Sequence, residues 1–558
     1  MLHGQSYAAL PANNQREKIV AKLENEGGRK TVMRPLRLTL CFSVIAVGLA
    51  PQARGAITDP VRVEQGQLSG AGGRSPNMRV YKGVPFAAPP VGDLRWKPPL
   101  PAAPWQGVRQ ATQLANSCMQ PPFPTNGVYS GAPPPPTSED CLYLNIWTPA
   151  KSADDRLPVM VWIHGGGFAH GTGAAAGYDG ENLARKGVVV VTINYRLGIF
   201  GFLALPELTA ESPQHASGNY ALLDQIAALE WVKRNIAAFG GDPSRVTIFG
   251  ESAGSVSVNA LMASPLAKGL FARAIGESGG SFGPMPSLAD AEKQGLQFAS
   301  TLSVTQDVLK SLRAKPADEL IKAKANDDVQ PIVDGWVLPQ SIYSIFAEGR
   351  QNDVPIIVGN NANEGGNLAP LEKGTMSPQE FADNARKNFG PFAGQFLQAY
   401  PATTDDQATA AHFASFRDAA FGWDMRIWAR LETETGHRRA YRYYFSRVPP
   451  GPGSRLGAFH GSDLAYVFEN YPFRIFYQDW DKQLGETIEN YWVNFAKTGD
   501  PNGEGLPAWP IYDSARDDVI EFGDQVSVQF RVNAAGLDFF DVYNRSLRPS
   551  PPSAAGSK

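Results

Sequence analysis

An α/β fold, with helices on both faces of a mostly parallel sheet, is predicted for this chain of 558 residues by three observations. Continuous apolar runs at 158–163, 188–193, 246–249 and 354–358 read as buried parallel strands, which are apolar throughout because both faces are covered. Between the second and third runs, Leu222, Ile226, Leu229, Val232 and Ile236 recur at spacings of three and four, marking one face of a helix that ends before Gly240 and Gly241. Strand-like and helix-like segments then alternate along most of the chain, as they do where helices cross over between parallel strands.

The elements begin with two segments that stand outside this fold. Residues 1–32 are polar and charged, and read either as the product of a start site set too far upstream, with Met33 the true start, or as a disordered extension. Residues 33–56 have the layout of an export signal: Arg34 and Arg37 supply positive charge, 38–50 are apolar, and Ala53, Gly55 and Ala56 offer small residues for cleavage near Ile57. An apolar stretch of about 13 residues is short of the ~20 that cross a bilayer, so the mature chain is expected to carry no integral membrane span. Cys41 does not suit lipid attachment, because the apolar stretch follows it instead of leading up to it. A secreted or periplasmic protein is expected.

The mature chain, 57–558, is expected to form a single domain. It opens with a Pro- and Gly-rich lead-in to about residue 149, in which 61–67 and 78–81 alternate as short strands do. Cys118 and Cys141, the two cysteines left after cleavage, can form one bridge or remain as two buried thiols. Stretches at about 287–350 and 377–435 are more polar and helical in pattern, and are expected as insertions that wall a substrate gorge.

A formal net charge of −3 gives no field to gather nucleic acid, and no run of Lys and Arg alternates with aromatics. Metal chemistry has no support, since His164 and His170 are six apart on a loop and neither HExxH nor a paired Cys motif occurs. No phosphate-cradling glycine loop with a lysine is present, and no cofactor is expected. A monomer is the default expectation.

The chemistry centres on Gly250-Glu251-Ser252-Ala253-Gly254, placed between the apolar run 246–249 and a helix-compatible segment. Such a strand-to-helix elbow bends so sharply that its flanks need glycine, and the bend holds the Ser252 hydroxyl at a helix N-terminus, as in the α/β-hydrolase fold. A serine hydroxyl is a poor nucleophile at neutral pH, so it needs a base and a carboxylate that orients the base. In this fold the chain order is serine, acid, histidine. His460, in the small-residue loop Gly457-Ala458-Phe459-His460-Gly461, suits the base better than His412 in a helical insertion or His437 beside two arginines. Glu364, on a turn-rich loop after 354–358, suits the acid, whereas Asp334 in Val333-Asp334-Gly335 reads as a turn residue. The run His164-Gly165-Gly166-Gly167-Phe168, after the strand 158–163, can turn backbone N–H groups toward an oxyanion and, with the N–H of Ala253, complete a three-donor hole.

With these motifs in place the chain resembles the type-B carboxylesterases, a family that includes para-nitrobenzyl esterases, mammalian carboxylesterases, cholinesterases and neuroligins. The likeness runs through Gly83-Val84-Pro85-Phe86, Glu139-Asp140-Cys141-Leu142, the His164 run, Asn194-Tyr195-Arg196, the Ser252 elbow, Asn363-Glu364-Gly365, His460 and Phe495-Ala496-Lys497-Thr498-Gly499-Asp500-Pro501-Asn502. The resemblance implies a Ser252, Glu364 and His460 triad, an oxyanion hole of Gly166, Gly167 and Ala253, and a Cys118–Cys141 disulfide. It also implies that Glu251 is a buried carboxylate beside the triad and that Ser278 is a hydroxyl supporting it.

Two departures narrow this reading. The loop from Cys118 to Cys141 has no Trp where cholinesterases bind a quaternary ammonium, and Phe123 and Tyr129 are its aromatic residues, so a choline ester is not the expected substrate. At Tyr220-Ala221 the family usually has glycine second, and local repacking is expected there. The expected activity is hydrolysis of a small to medium carboxylic ester through an acyl-enzyme. A non-catalytic adhesion protein on the same fold is the alternative, as is an amidase, carbamate hydrolase or lactonase with the same triad.

Overall fold

The computed structural model describes residues 57–122, 134–323 and 329–548. The segment 1–32 expected as an extension, the segment 33–56 expected as an export signal, and Phe123 and Tyr129 lie outside the described residues.

Eleven strands form one sheet: β1 (Ala71–Gly72), β2 (Arg79–Pro85), β3 (Tyr143–Thr148), β4 (Leu157–Ile163), β5 (Val189–Ile193), β6 (Gly241–Glu251), β7 (Arg273–Glu277), β8 (Ile356–Asn361), β9 (Ala440–Phe445), β10 (Asp518–Phe522) and β11 (Val526–Phe530). Their spatial order is β11-β10-β9-β8-β7-β6-β4-β5-β3-β2-β1. Every pairing from β5 across to β10 is parallel, while β11 at one end and β3, β2 and β1 at the other are antiparallel. The four apolar runs read from the sequence are β4, β5, the centre of β6 and β8, and they are buried on both faces. The lead-in is not a separate body. Its strands β2 and β3 extend the main sheet, while Val61–Val63, Gly66–Ser69 and Val108–Gln110 make a small sheet of their own and Ser117–Cys118 pairs with Thr137–Ser138 in another.

The periodic segment forms helix α1 (Tyr220–Asn235), whose Leu222, Leu229 and Val232 are fully buried. Each such side chain contributes roughly 1.5–3 kcal/mol on leaving water. Gly240, in a left-handed conformation, ends this stretch and turns the chain into β6. Arg196, just past β5, makes two bonds of 2.7 Å to Asp224 on α1, a buried ion pair that ties helix to sheet. Ala221 is fully buried against Gly201, where the missing side chain leaves room for the methyl group.

Between β7 and β8 run α2 (Leu288–Thr301) and shorter helices, and between β8 and β9 run α3 (Pro378–Phe389), α4 (Asp405–Arg417) and α5 (Trp423–Thr435). Ser287 and Ser377 cap α2 and α3 by accepting the N–H of the residue three along, which satisfies one of the orphan donors at each helix start. No helix among the described residues is long and apolar enough to cross a membrane.

Candidate active site

In a parallel sheet the loops leaving the carboxyl ends of the strands gather on one edge, where ligands bind. The loops after β4, β6, β7, β8 and β9 carry Gly165–Gly167, Ser252, Ser278, Glu364 and His460, and contacts among these residues bring the loops together.

Ser252 sits between β6 and the helix Ala253–Ala263 at φ 58° and ψ −125°, a conformation a non-glycine residue holds only when its surroundings impose it. Its N–H donates to Glu277 O at 2.8 Å and its carbonyl accepts Val256 N at 2.9 Å. The flanking glycines are required by close approach: a Cβ on Gly250 would meet the Gly254 carbonyl and Ile163 O at 2.6 and 2.7 Å, and one on Gly254 would strike Ile163 O. Ser252 is the partly exposed residue of this elbow.

Glu364 is fully buried and accepts three hydrogen bonds, from His460 Nδ1 at 2.7 Å, Ser278 Oγ at 2.7 Å and Asn361 N at 2.7 Å. Ser278, which the family resemblance implies as a hydroxyl supporting the triad, therefore meets the Glu364 carboxylate. The loops of Glu364 and His460 are stitched by a β-bridge between Asn363 and Phe459 and by Asn363 Nδ2, which donates to Leu456 O at 2.8 Å. Asn367 holds His460 by its backbone, accepting its N–H at 3.1 Å and donating to its carbonyl at 3.3 Å.

Glu251 lies beside this pair, with Oε1 at 3.1 Å from His460 Nε2. Burial raises the Glu251 pKa to about 7 against the opposing charge of His460, and Asp463 and Glu364 add to the rise. At His460 burial lowers the imidazole pKa, but the charges of Glu251 and Glu364 outweigh it and hold His460 above its ordinary range. Behind them, Glu277 is raised by burial and by the charge of Asp463, and Trp492 Nε1 donates to it at 2.7 Å. Asp463 is held by Asn361 Nδ2 at 3.0 Å and the Tyr443 hydroxyl at 3.1 Å.

The glycine run lies against the elbow, since a Cβ on Gly165 would meet Ser252 Cβ at 2.9 Å. Gly166 and Gly167 have φ of 108° and 61° and are exposed, and their N–H groups make no hydrogen bond among the described residues. Ala253 opens its helix, so its N–H is among those without an intrahelical acceptor.

The other sequence candidates stand apart. The His437 side chain is 87% exposed beside Asp353, and His412 Nε2 lies 3.1 Å from Ala369 O. Asp334 accepts Trp336 N and Leu338 N at 3.0 and 2.9 Å, the pattern of a turn. A cavity of about 180 Å³ bordered by Trp96, Tyr220, Asp334 and Trp336 is lined by none of Ser252, Glu364 and His460. A disulfide joins Cys118 to Cys141.

Three residues that the motifs do not reveal complete the region. Phe421, in a π-helical turn at Asp418–Gly422, stacks on His460 with centroids 4.6 Å apart. Gln120, two residues past Cys118, pairs with both backbone groups of Gly171 at 2.8 and 2.9 Å and so ties the disulfide to the far limb of the glycine loop. Asn367 is the third. None has a spacing signal, because each acts across loops distant in sequence.

A model of the Carboxylesterase family matches residues 58–540, a span that holds all of these loops. The chain belongs to the carboxylesterase family. Its activity is carboxylic ester hydrolysis. Among its relatives is the fumonisin B1 esterase of Sphingopyxis macrogoltabida, 37% identical over 88% of this chain and 90% of that protein. Another is the para-nitrobenzyl esterase of Bacillus subtilis, 36% identical over 80% of this chain and 92% of that one. The fold of this carboxylesterase is shared with a solved PNB esterase at 32% identity and a TM-score of 0.74, covering 88% of this chain and 99% of that chain. The α/β-hydrolase architecture expected from the elbow motif is therefore the architecture of this esterase.

Proposed function

We propose that this carboxylesterase cleaves small to medium carboxylic esters through an acyl-enzyme on Ser252. Ser252 Oγ attacks the carbonyl carbon while His460 Nε2 takes its proton, and Glu364 orients the ring and stabilises the imidazolium. The carbonyl oxygen becomes an oxyanion facing the N–H groups of Gly166, Gly167 and Ala253. The tetrahedral species collapses by breaking the bond to the alcohol oxygen, which leaves with the proton from His460. Water then gives its proton to His460, attacks the acyl carbon, and releases the acid with return of the proton to Ser252. The observation that carries this reading is the buried Glu364 bonded at once to His460 and to Ser278, beside the elbow that presents Ser252.

The test is turnover of a short-chain nitrophenyl ester by the mature protein, with Ser252→Ala as control and organophosphate labelling followed by peptide mass. Loss of turnover and a label on the Ser252 peptide are expected. Activity retained in Ser252→Ala would remove the assignment. A matched set of esters, amides, carbamates and lactones separates ester preference from the other chemistries this machinery can run.

The mature chain is proposed to be one domain, 57–558, with insertions at about 287–350 and 377–435, exported by a signal at 33–56 and acting as a monomer outside the cytoplasm. The Cys118–Cys141 disulfide supports an oxidising compartment. An N-terminal sequence near Ile57 and a monomer mass by light scattering are the expected results.

A further inference from the structure

His164 precedes the glycine run, and neither the triad nor the hole uses its side chain. His164 is 1% exposed, and its ring stacks on Tyr195 with centroids 4.4 Å apart and planes at 17°. The Tyr195 hydroxyl donates to the His164 carbonyl at 2.7 Å, so ring and backbone are held by one neighbour. His164 Nδ1 lies 2.8 Å from Gly165 O. A carbonyl oxygen only accepts, which places the proton on Nδ1. Burial lowers the His164 pKa to about 4 against the opposing Gly165 carbonyl, so the ring stays neutral at the pH where esters are turned over. Gly171 closes over this bond: a Cβ there would strike Nδ1 and would meet Gly165 O at 2.6 Å.

The carbonyl of Gly165 and the N–H of Gly166 belong to one peptide plane, and in a trans peptide these two groups point in opposite directions. A bond that draws Gly165 O toward the buried ring turns Gly166 N–H the other way, to the exposed side of the loop. The plane needs such a hold. It lies between two glycines, and glycine populates positive and negative φ about equally, so the plane could flip at little cost. A flipped plane would aim the Gly165 carbonyl at the oxyanion.

We propose that His164 is a positioning residue for the oxyanion hole, its Nδ1–H locking the Gly165–Gly166 peptide so that Gly166 N–H faces the reacting carbonyl. The inference rests on the reading of Gly166 as an oxyanion donor. His164 exchanges no proton in the reaction, and its effect is confined to the transition state, where the oxyanion forms.

The experiment compares His164→Phe, which keeps a stacking ring and loses the donor, with His164→Asn, which returns an N–H donor near the Nδ1 position. Turnover of a nitrophenyl ester, inhibition by an aryl trifluoromethyl ketone and thermal unfolding are measured for each. Complete loss of one oxyanion donor costs ~10²–10³ in rate, so freeing its plane in His164→Phe is expected to lower kcat by about ten- to a hundredfold. KM should stay within about twofold, because ground-state binding does not use the hole. The ketone, which forms an oxyanion adduct, should weaken by the same factor as kcat, and His164→Asn should recover most of the loss. Unchanged kcat in His164→Phe, or His164→Asn falling equally far, would overturn the proposal. Should His164→Phe fail to fold, ¹⁵N-histidine spectra of the unaltered protein decide: a neutral Nδ1–H tautomer from about pH 5.5 to 9 is expected, and an Nε2–H tautomer is the contrary result. Organophosphate labelling of the unaltered protein separates the two readings. A label absent from Ser252 sinks the parent assignment, whereas a labelled Ser252 with full kcat in His164→Phe sinks only this one.

Discussion

Nε2 of His460 stands 3.1 Å from Oε1 of Glu251, while the opposite nitrogen of the ring stands 2.7 Å from Glu364. The base of the proposed triad is thus held between two buried carboxylates, one on each nitrogen, and the carboxylate on the reacting side is the chain neighbour of Ser252.

This arrangement predicts a pH effect. The base works unprotonated, and negative charge on Glu251 favours the protonated ring, so kcat/KM should rise with pH through a His460 pKa above the usual imidazole range. Glu251→Gln removes that charge, lowers the His460 pKa, and should move the rise to lower pH. A pH–rate profile of both proteins checks the direction, and an unmoved acid limb would show that Glu251 is not coupled to the base.

Glu364→Gln should fold, since an amide oxygen can still accept from Ser278 or Asn361 at 2.7 Å. It should lower kcat by about 10³–10⁴, because the neutral amide neither fixes the tautomer nor stabilises the imidazolium. Single-turnover rates with a nitrophenyl ester measure the loss, and a drop below tenfold would argue for another acid.

Gly254→Ala is expected to fail in a way that Ser252→Ala does not. The new methyl would strike Ile163 O, a backbone atom of β4 that cannot step aside. Soluble yield and circular dichroism should show folded Ser252→Ala and little folded Gly254→Ala.

Replacing Cys118 and Cys141 together by serine opens a loop with a sequence separation of 23 residues. Chain entropy puts the loss at about 3 kcal/mol. A lower urea midpoint is expected, with thermal inactivation faster than in the intact protein, because Gln120 couples this loop to Gly171. An unchanged midpoint would mean that the native contacts hold the loop without the bridge.

Much of this architecture was legible in local signals. The runs that became β4, β5 and β8 are apolar because both faces are covered, and α1 showed its buried face at helical spacing. Strands β7, β10 and β11 carry shorter or more polar patterns that merge with their surroundings. Ser252 was legible because a strained turn demands glycine on both sides, a constraint written in adjacent positions. Ser278 and Glu251 came only through family likeness, since nothing in their neighbours states what they will touch.

The sequence by itself determined the strand-to-helix elbow and the glycine loop, because each depends on backbone geometry within a few residues. The tertiary structure decided which groups meet. That Asn367 grips the backbone of His460, that Phe421 stacks on its ring, that Gln120 braces Gly171 and that His164 turns inward to Gly165 all depend on side-chain direction and on loops packed side by side at one edge of the sheet. Those contacts are set by the register of the parallel strands, which places residues about a hundred positions apart, such as Glu364 and His460, within one hydrogen bond.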